Sequence, residues 1–175
     1  MAIREFREIG EDILYKKSKA VKEITGRVIE LLDDMAVTME EYNGIGLAAV
    51  QVGMLKRIFI ILYVEDVLDE NGEAVLDDDN EPLTKEEIIE FINPEILERR
   101  GSQINIEGCL SVPGKSGNVE RPEYVKMKAM DREGNEFIVE YEGYYATVVS
   151  HEYDHLDGIL YVDKVIDEEC DKEEE

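Results

Sequence analysis

The sequence predicts an α+β fold: short, mostly antiparallel strands gathered around one buried helix that carries a HExxH motif. Three observations carry that reading. Val28, Leu31, Leu32, Met35, Met39 and Tyr42 recur at helical spacing. Tyr124 to Asp131 and Glu136 to Tyr141 alternate in polarity on either side of Asp131-Arg132-Glu133-Gly134-Asn135, as the strands of a hairpin do. A second helical stretch opens at Gly143, runs to about Leu156 and holds His151-Glu152-Tyr153-Asp154-His155.

Taken in order, Thr25 supplies an N-cap for the first helix and Asn43-Gly44 its stop. Gly44 to Gly53 reads as a glycine-bounded turn region, and the Ile-rich Arg57 to Val64 as a buried strand. About 65–90 reads as an acidic insertion with Asn71-Gly72, a run of aspartates from Asp77 to Asp79, and Pro82. Near its end, Thr84-Lys85-Glu86-Glu87 resembles the capping box of a short helix. Phe91 to Arg100 is expected as a strand interrupted by Pro94, and Ile159 to Val162 as a final strand. No internal repeat or linker stands out, so residues 1–175 are expected to form one domain, with an acidic tail from about 167.

The formal net charge is -24, a field that repels phosphates and anionic lipid headgroups. It argues against DNA binding or a membrane-surface role for the chain as a whole. The strongly apolar run Ile58 to Val64 is far too short to span a bilayer. The first residues lack a signal-peptide pattern, and the expected location is the cytoplasm. Two cysteines, Cys109 and Cys170, do not make a disulfide framework.

Both histidines of the chain lie in the one motif. On a helix, positions i and i+4 share a face, so His151 and His155 can bind one metal ion while Glu152 reaches a water upon it. Tyr144, Thr147 and Val148 fall on the His151 face. A catalytic ion commonly takes three protein ligands and keeps one position open. Asp154, Asp157 or a distant acid serves by type as the third. Cys109, in Glu107-Gly108-Cys109-Leu110-Ser111, serves too, although on its own it reads better as a small core residue, the commoner fate of a free cysteine. A His, His and Cys set also suits electron-transfer copper, which needs no glutamate beside the first histidine. Gly44-Ile45-Gly46-Leu47-Ala48-Ala49-Val50-Gln51 lets backbone approach a ligand closely and offers Gln51 as a neutral donor to an oxyanion.

Together these three segments, in this order, resemble the peptide deformylase family. Ile92-Asn93-Pro94, Arg121-Pro122 and Leu156-Asp157-Gly158 fit the same pattern. The resemblance implies a metallohydrolase that removes the formyl group from N-terminal formyl-methionine, with metal-bound hydroxide as nucleophile. It implies Cys109, His151 and His155 as ligands of one divalent ion, Fe2+ in the cell, with Zn2+, Ni2+ or Co2+ suiting the same donors. Glu152 is the implied acid/base, and Gln51 and the Leu110 N–H the oxyanion donors. Gly46 and Arg121 would position the peptide; Ile45, Tyr144 and Val148 would wall the methionine pocket. N-formyl-methionyl peptides are the implied partners. Position 150 is Ser where the family usually has Gln, and the acidic insertion is longer than in compact members. Some members dock on the ribosome through a long basic C-terminal helix. None follows Val165 here, and the net charge weighs against that contact. Two other readings stay open: a zincin-type peptidase, and a homologue that binds without turnover.

Overall fold

The computed structural model describes residues 1–77 and 79–168. The two α-helices are α1 (Gly26–Glu41) and α2 (Gly143–Leu156). The strands are β1 (Gly46–Ala48), β2 (Ile58–Asp66), β3 (Thr84–Arg100), β4 (Gln103–Cys109), β5 (Val112–Arg121), β6 (Tyr124–Met130), β7 (Glu136–Glu142) and β8 (Val165–Glu168). Five of them make a sheet in the order β1-β2-β3-β6-β7, and three make a second in the order β4-β5-β8. Every pairing in both sheets is antiparallel. None of the described helices is long and apolar enough to cross a membrane.

Strand β2 shows why the larger sheet needs a helix on each face. Its side chains alternate, so Ile58 and Ile60 pack with Leu31, Leu32 and Met35 of α1. Phe59 and Ile61 point the other way, into a cluster with Val148, Val149 and Leu156 of α2. A strand covered on both faces reads as a continuous apolar run. Helix α2 also meets Val112 and Val119 of β5, so both sheets contribute to its surroundings. All but one of its residues from Ala146 to Leu156 are buried, the exception being Tyr153. Such enclosure suits a helix that must hold polar groups away from water.

Four expectations need correction. The turn region 44–53 contains β1 and a 3-10 turn at Ala49–Val52. Thr84 to Glu87 is strand, not helix: Thr84 pairs with Asp66 and Glu87 with Tyr63, so sheet partners override the local capping signal. Strand β3 is then continuous through Pro94, because the register shifts between Ile92 and Glu95. Proline's missing N–H falls at that irregularity, with Asn93 at φ 51. The Asn93 amide clamps Val21, accepting from its N–H at 2.7 Å and donating to its carbonyl at 2.8 Å. The final strand is β8 rather than Ile159 to Val162. Tyr161–Asp163 forms a 3-10 turn closed by Asp163 Oδ2, which accepts the Leu160 N–H at 3.1 Å.

The insertion is also narrower than 65–90, since both its ends belong to β2 and β3. What remains is a tandem octapeptide, Val67-Leu68-Asp69-Glu70-Asn71-Gly72-Glu73-Ala74 followed by Val75-Leu76-Asp77-Asp78-Asp79-Asn80-Glu81-Pro82. That repeat escaped the sequence reading. Each unit makes the same turn. Asp69 Oδ1 accepts from Asn71 and Glu73 N–H, and Asp77 Oδ1 from Asp79 and Glu81 N–H. Asp131 repeats it a third time with Glu133 and Asn135. Cys170 and the tail from 169 onward lie outside the described residues.

Candidate active site

Helix α2 places His151 and His155 one turn apart, and their Nε2 atoms face each other at 3.2 Å. The end of β4 brings Cys109 Sγ to 3.4 Å from His155 Nε2. One donor atom from each of the three residues lies within 4.8 Å of the others. Bond lengths of about 2.0–2.1 Å to imidazole nitrogen and about 2.3 Å to thiolate set tetrahedral donors roughly 3.3–3.6 Å apart. The observed spacings therefore fit one ion held by this set. Two nitrogens and a sulfur aimed at a common point are the donor chemistry of zinc, iron or nickel. Thus the structure brings together the three residues expected as ligands.

His151 is oriented from behind. Its Nδ1 meets Glu107 Oε2 at 2.7 Å, leaving Nε2 for the shared point. Glu107 in turn takes a fork from Arg121, Nε at 2.6 Å and Nη2 at 2.9 Å, while Nη1 reaches Asp154 Oδ2 at 2.5 Å. Lys164 bonds the same Asp154 oxygen at 2.6 Å. Burial opposes charge on Glu107, but Arg121 and His151 outweigh it and draw its pKa down to about 2. On His151 burial also opposes charge, yet Cys109 and Glu107 prevail and raise it to about 10. Burial, helped by His151 and Arg121, keeps His155 well below the ordinary range. A cluster of protein groups that draws a proton onto one imidazole is a cluster that favours a cation.

Glu152 is buried, and its Oε2 has no partner among the described residues. Burial pushes its pKa up to about 7, with Glu107 adding to the rise and His151 and Arg121 opposing it. A carboxyl so poised can take and return a proton near neutrality. Gly46 makes room for it: a Cβ there would lie 2.5 Å from Glu152 Oε1. Gln51 is fixed by its own Oε1, which accepts the Ala48 N–H at 2.8 Å. Its Nε2 donates toward Cys109 Sγ at 3.3 Å and Ser111 Oγ at 3.2 Å. The chain's first residues strap these loops together. Arg7 N–H donates to Gln51 O at 2.7 Å, and Ile9 N–H to Ser111 O at 2.8 Å.

These groups open into a cleft of about 470 Å³, a size suited to a small ligand or short peptide. Ile45, Gly46, Gln51, Leu110, Tyr144, Val148 and Glu152 line it, as do Cys109 and His151. Arg121 does not. It is buried and bound to two carboxylates, so it braces the site rather than facing a peptide. Asp154 is likewise engaged with Arg121 and Lys164, and Asp157 pairs with Arg57 at 2.8 Å; neither is among the clustered donors. The sequence reading missed Glu107 and the bracing role of Asp154. It also gave Thr147 no role, although Thr147 lines the cleft and accepts from Asn105 Nδ2 at 2.8 Å. Ser150, at the unusual position, turns its hydroxyl back to Ala146 O at 2.6 Å and stays off the cleft.

A model of the family described as Polypeptide deformylase matches residues 3–171. The chain belongs to the peptide deformylase family. It is 51% identical to a peptide deformylase of Caldicellulosiruptor bescii, over 95% of this chain and 87% of that one. It is 45% identical to peptide deformylase 1 of Clostridium acetobutylicum, over 97% and 99%. Among solved structures, the deformylase of Thermotoga maritima matches with a TM-score of 0.78 at 33% identity, covering 94% of this chain and 99% of that one. The class I type b deformylase of Acinetobacter baumannii, solved with Met-Ala-Ser bound, matches at 0.77 and 34%, covering 93% and 98%.

Proposed function

We propose that this chain is a metal-dependent hydrolase that removes the formyl group from N-terminal formyl-methionine of newly made polypeptides and releases formate. The observation that carries it is the convergence of Cys109, His151 and His155 beside the buried, unpartnered carboxyl of Glu152, in a chain of the deformylase family. The Met-Ala-Ser bound to the Acinetobacter relative supports a methionyl peptide as what leaves the cleft.

Cys109, His151 and His155 would hold one divalent ion, Fe2+ in the cell, with zinc, nickel or cobalt suited to the same donors. Once bound, the ion supplies a nucleophile near neutral pH by lowering the pKa of a water. The chain's own residues do the rest. Ile45, Tyr144 and Val148 wall the methionine side chain, and Gly46 lets the peptide backbone come close. Gln51 Nε2 and the Leu110 N–H donate to the oxygen of the formyl group as it gains charge; losing one such donor costs roughly 2.7–4 kcal/mol of barrier in comparable sites. Glu152 takes the proton from the attacking water and delivers it to the leaving amine. Arg121 is a positioning residue that acts through Glu107 and His151. Residues 1–175 work as one catalytic unit, in the cytoplasm where new chains carry the formyl group.

The test is formate release from formyl-Met-Ala-Ser by metal-loaded protein, with unformylated Met-Ala-Ser as control. Release in the first case, together with an E152A variant that keeps its metal and releases none, is the expected result. Hydrolysis of the unformylated peptide would show a peptidase instead, and silence toward both would show a binding protein.

A further inference from the structure

The inward side chains of β4 keep step with α2. Gln103, Asn105, Glu107 and Cys109 alternate with the exposed Ile104, Ile106 and Gly108, a two-residue repeat of about 6.4–6.8 Å. Four residues of helix rise about 6 Å, so strand and helix stay nearly in register. Cys109 meets His155, Glu107 meets His151, and Asn105 meets Thr147 one turn earlier. Gln103 ends the ladder: its Nε2 donates to Gly143 O at 2.7 Å and Pro122 O at 3.0 Å, with Thr147 Oγ1 at 3.2 Å. The two rungs at His155 and His151 belong to the metal site. The Asn105–Thr147 rung holds no ion and moves no proton of the proposed reaction.

Thr147 is buried, yet it lines the cleft beside Tyr144 and Val148. A hydroxyl within a helix commonly donates to the carbonyl four residues back. Ser150 does so in this helix, to Ala146 O at 2.6 Å. Thr147 does not. The carbonyl four residues before it is Gly143 O, which takes the Gln103 amide instead. Both hydrogen bonds at Thr147 Oγ1 are ones it accepts, from Asn105 Nδ2 at 2.8 Å and Gln103 Nε2 at 3.2 Å. Among the described residues the Thr147 proton meets no acceptor, which leaves its O–H to be donated into the cleft. A buried donor without a partner is costly, and a valine of nearly the same shape would avoid that cost.

We infer that Thr147 is a specificity-determining residue that donates to a hydrogen-bond acceptor near the tip of the substrate's first side chain. The inference deepens the proposed function and rests on it. Tyr144 and Val148, the walls assigned to the methionine side chain, share one helix face with Thr147. The methionine thioether is only a weak acceptor. One oxidation step turns it into a sulfoxide, a polar side chain whose oxygen accepts strongly. A wholly apolar pocket would bury that oxygen unpaired and so reject it. Thr147 gives it a donor. Formyl-methionine sulfoxide, the oxidised start of a new chain, is therefore a substrate of this cleft.

The experiment measures formate release by the full-length, metal-loaded protein from formyl-Met-Ala-Ser, formyl-Met-sulfoxide-Ala-Ser and formyl-norleucyl-Ala-Ser. Norleucine keeps the length of methionine and lacks the acceptor. The readout is the sulfoxide-to-norleucine ratio of kcat/KM, which cancels any general loss of folded enzyme. Wild type is expected to hold that ratio above about one tenth. T147V should lower it by about fivefold or more, as loss of one neutral hydrogen bond requires. T147S, which keeps the hydroxyl, should lower it by less. The Kd values of the products Met-sulfoxide-Ala-Ser and norleucyl-Ala-Ser, titrated by calorimetry, should shift in the same sense. A wild-type ratio below one tenth, a ratio that T147V leaves within fivefold, or an equal loss in T147S overturns the inference and leaves deformylation of formyl-Met-Ala-Ser standing. No formate from formyl-Met-Ala-Ser removes the proposed function and this inference together.

Discussion

At the scale of single residues, the site depends on what stands behind its reacting groups. Gly46 is the sharpest case, because the space beside its Cα is where the Glu152 carboxylate sits. A methyl group there must push the carboxyl aside. We expect G46A to keep its metal and lose at least tenfold in kcat, checked by metal analysis beside formate release. Glu107 is the second case. Its pKa of about 2 lies below the ordinary carboxylate value near 4.5, so its ionised form stabilises the folded state. That contribution is complete above about pH 4.5 and is lost as pH falls toward 2. It amounts to something on the order of 3 kcal/mol. Urea midpoints of wild type and E107Q should therefore differ most at neutral pH and converge on acidification. The histidine pair was legible from residue types and spacing and Cys109 only through the family resemblance, whereas the bracing by Glu107 and Arg121 was not legible at all. A glutamate and an arginine in a sequence this charged look solvated until the strands bury them against each other.

Among elements, helices declared themselves and the longest strand did not. The apolar spacing of α1 follows from period and the bounds of α2 from the glycines at 143 and 158, although neither N-cap residue, Thr25 or Glu142, makes a side-chain hydrogen bond. The first part of β3 is polar and carries a good capping sequence, so nothing local marks it as strand; its register against β2 makes it one. Beyond that register the tandem octapeptide forms an appendage whose turns close within themselves. Asp66 and Thr84 are the last residues of the β2–β3 pairing to face each other. Replacing 67–83 with Asn-Gly should thus close a short hairpin in the same register. We expect formate release within twofold of the intact enzyme and a melting temperature shifted by a few degrees or less. A collapse of either would show that the appendage supports the site.

For the whole molecule, the dominant fact is charge. With 43 acids against 19 bases, most surface neighbours repel, and ion pairs such as Lys126 to Glu140 at 2.8 Å relieve only part of it. Added salt screens repulsion between exposed groups more than it weakens the buried Glu107–Arg121 fork. The melting temperature should accordingly rise between 10 and 200 mM sodium chloride, as calorimetry can record. A fall would mean that surface attractions outweigh repulsions. Deformylation of a short neutral peptide should change little over the same range, because an uncharged substrate gives the salt-screened surface charges nothing to attract or repel.

The leading strand of the polypeptide has a consequence for anyone who alters it. Through Arg7 and Ile9 it laces the loop bearing Gln51 to the loop bearing Ser111, while Ala2 and Arg4 anchor upstream on Asp34. Shortening the protein by nine residues would untie the segment bearing Gln51 from the one bearing Leu110 and Ser111 without touching either sheet. Such a truncated form should hold its secondary structure and its ion yet turn over slowly, a defect of alignment that circular dichroism would miss and a kcat measurement would reveal.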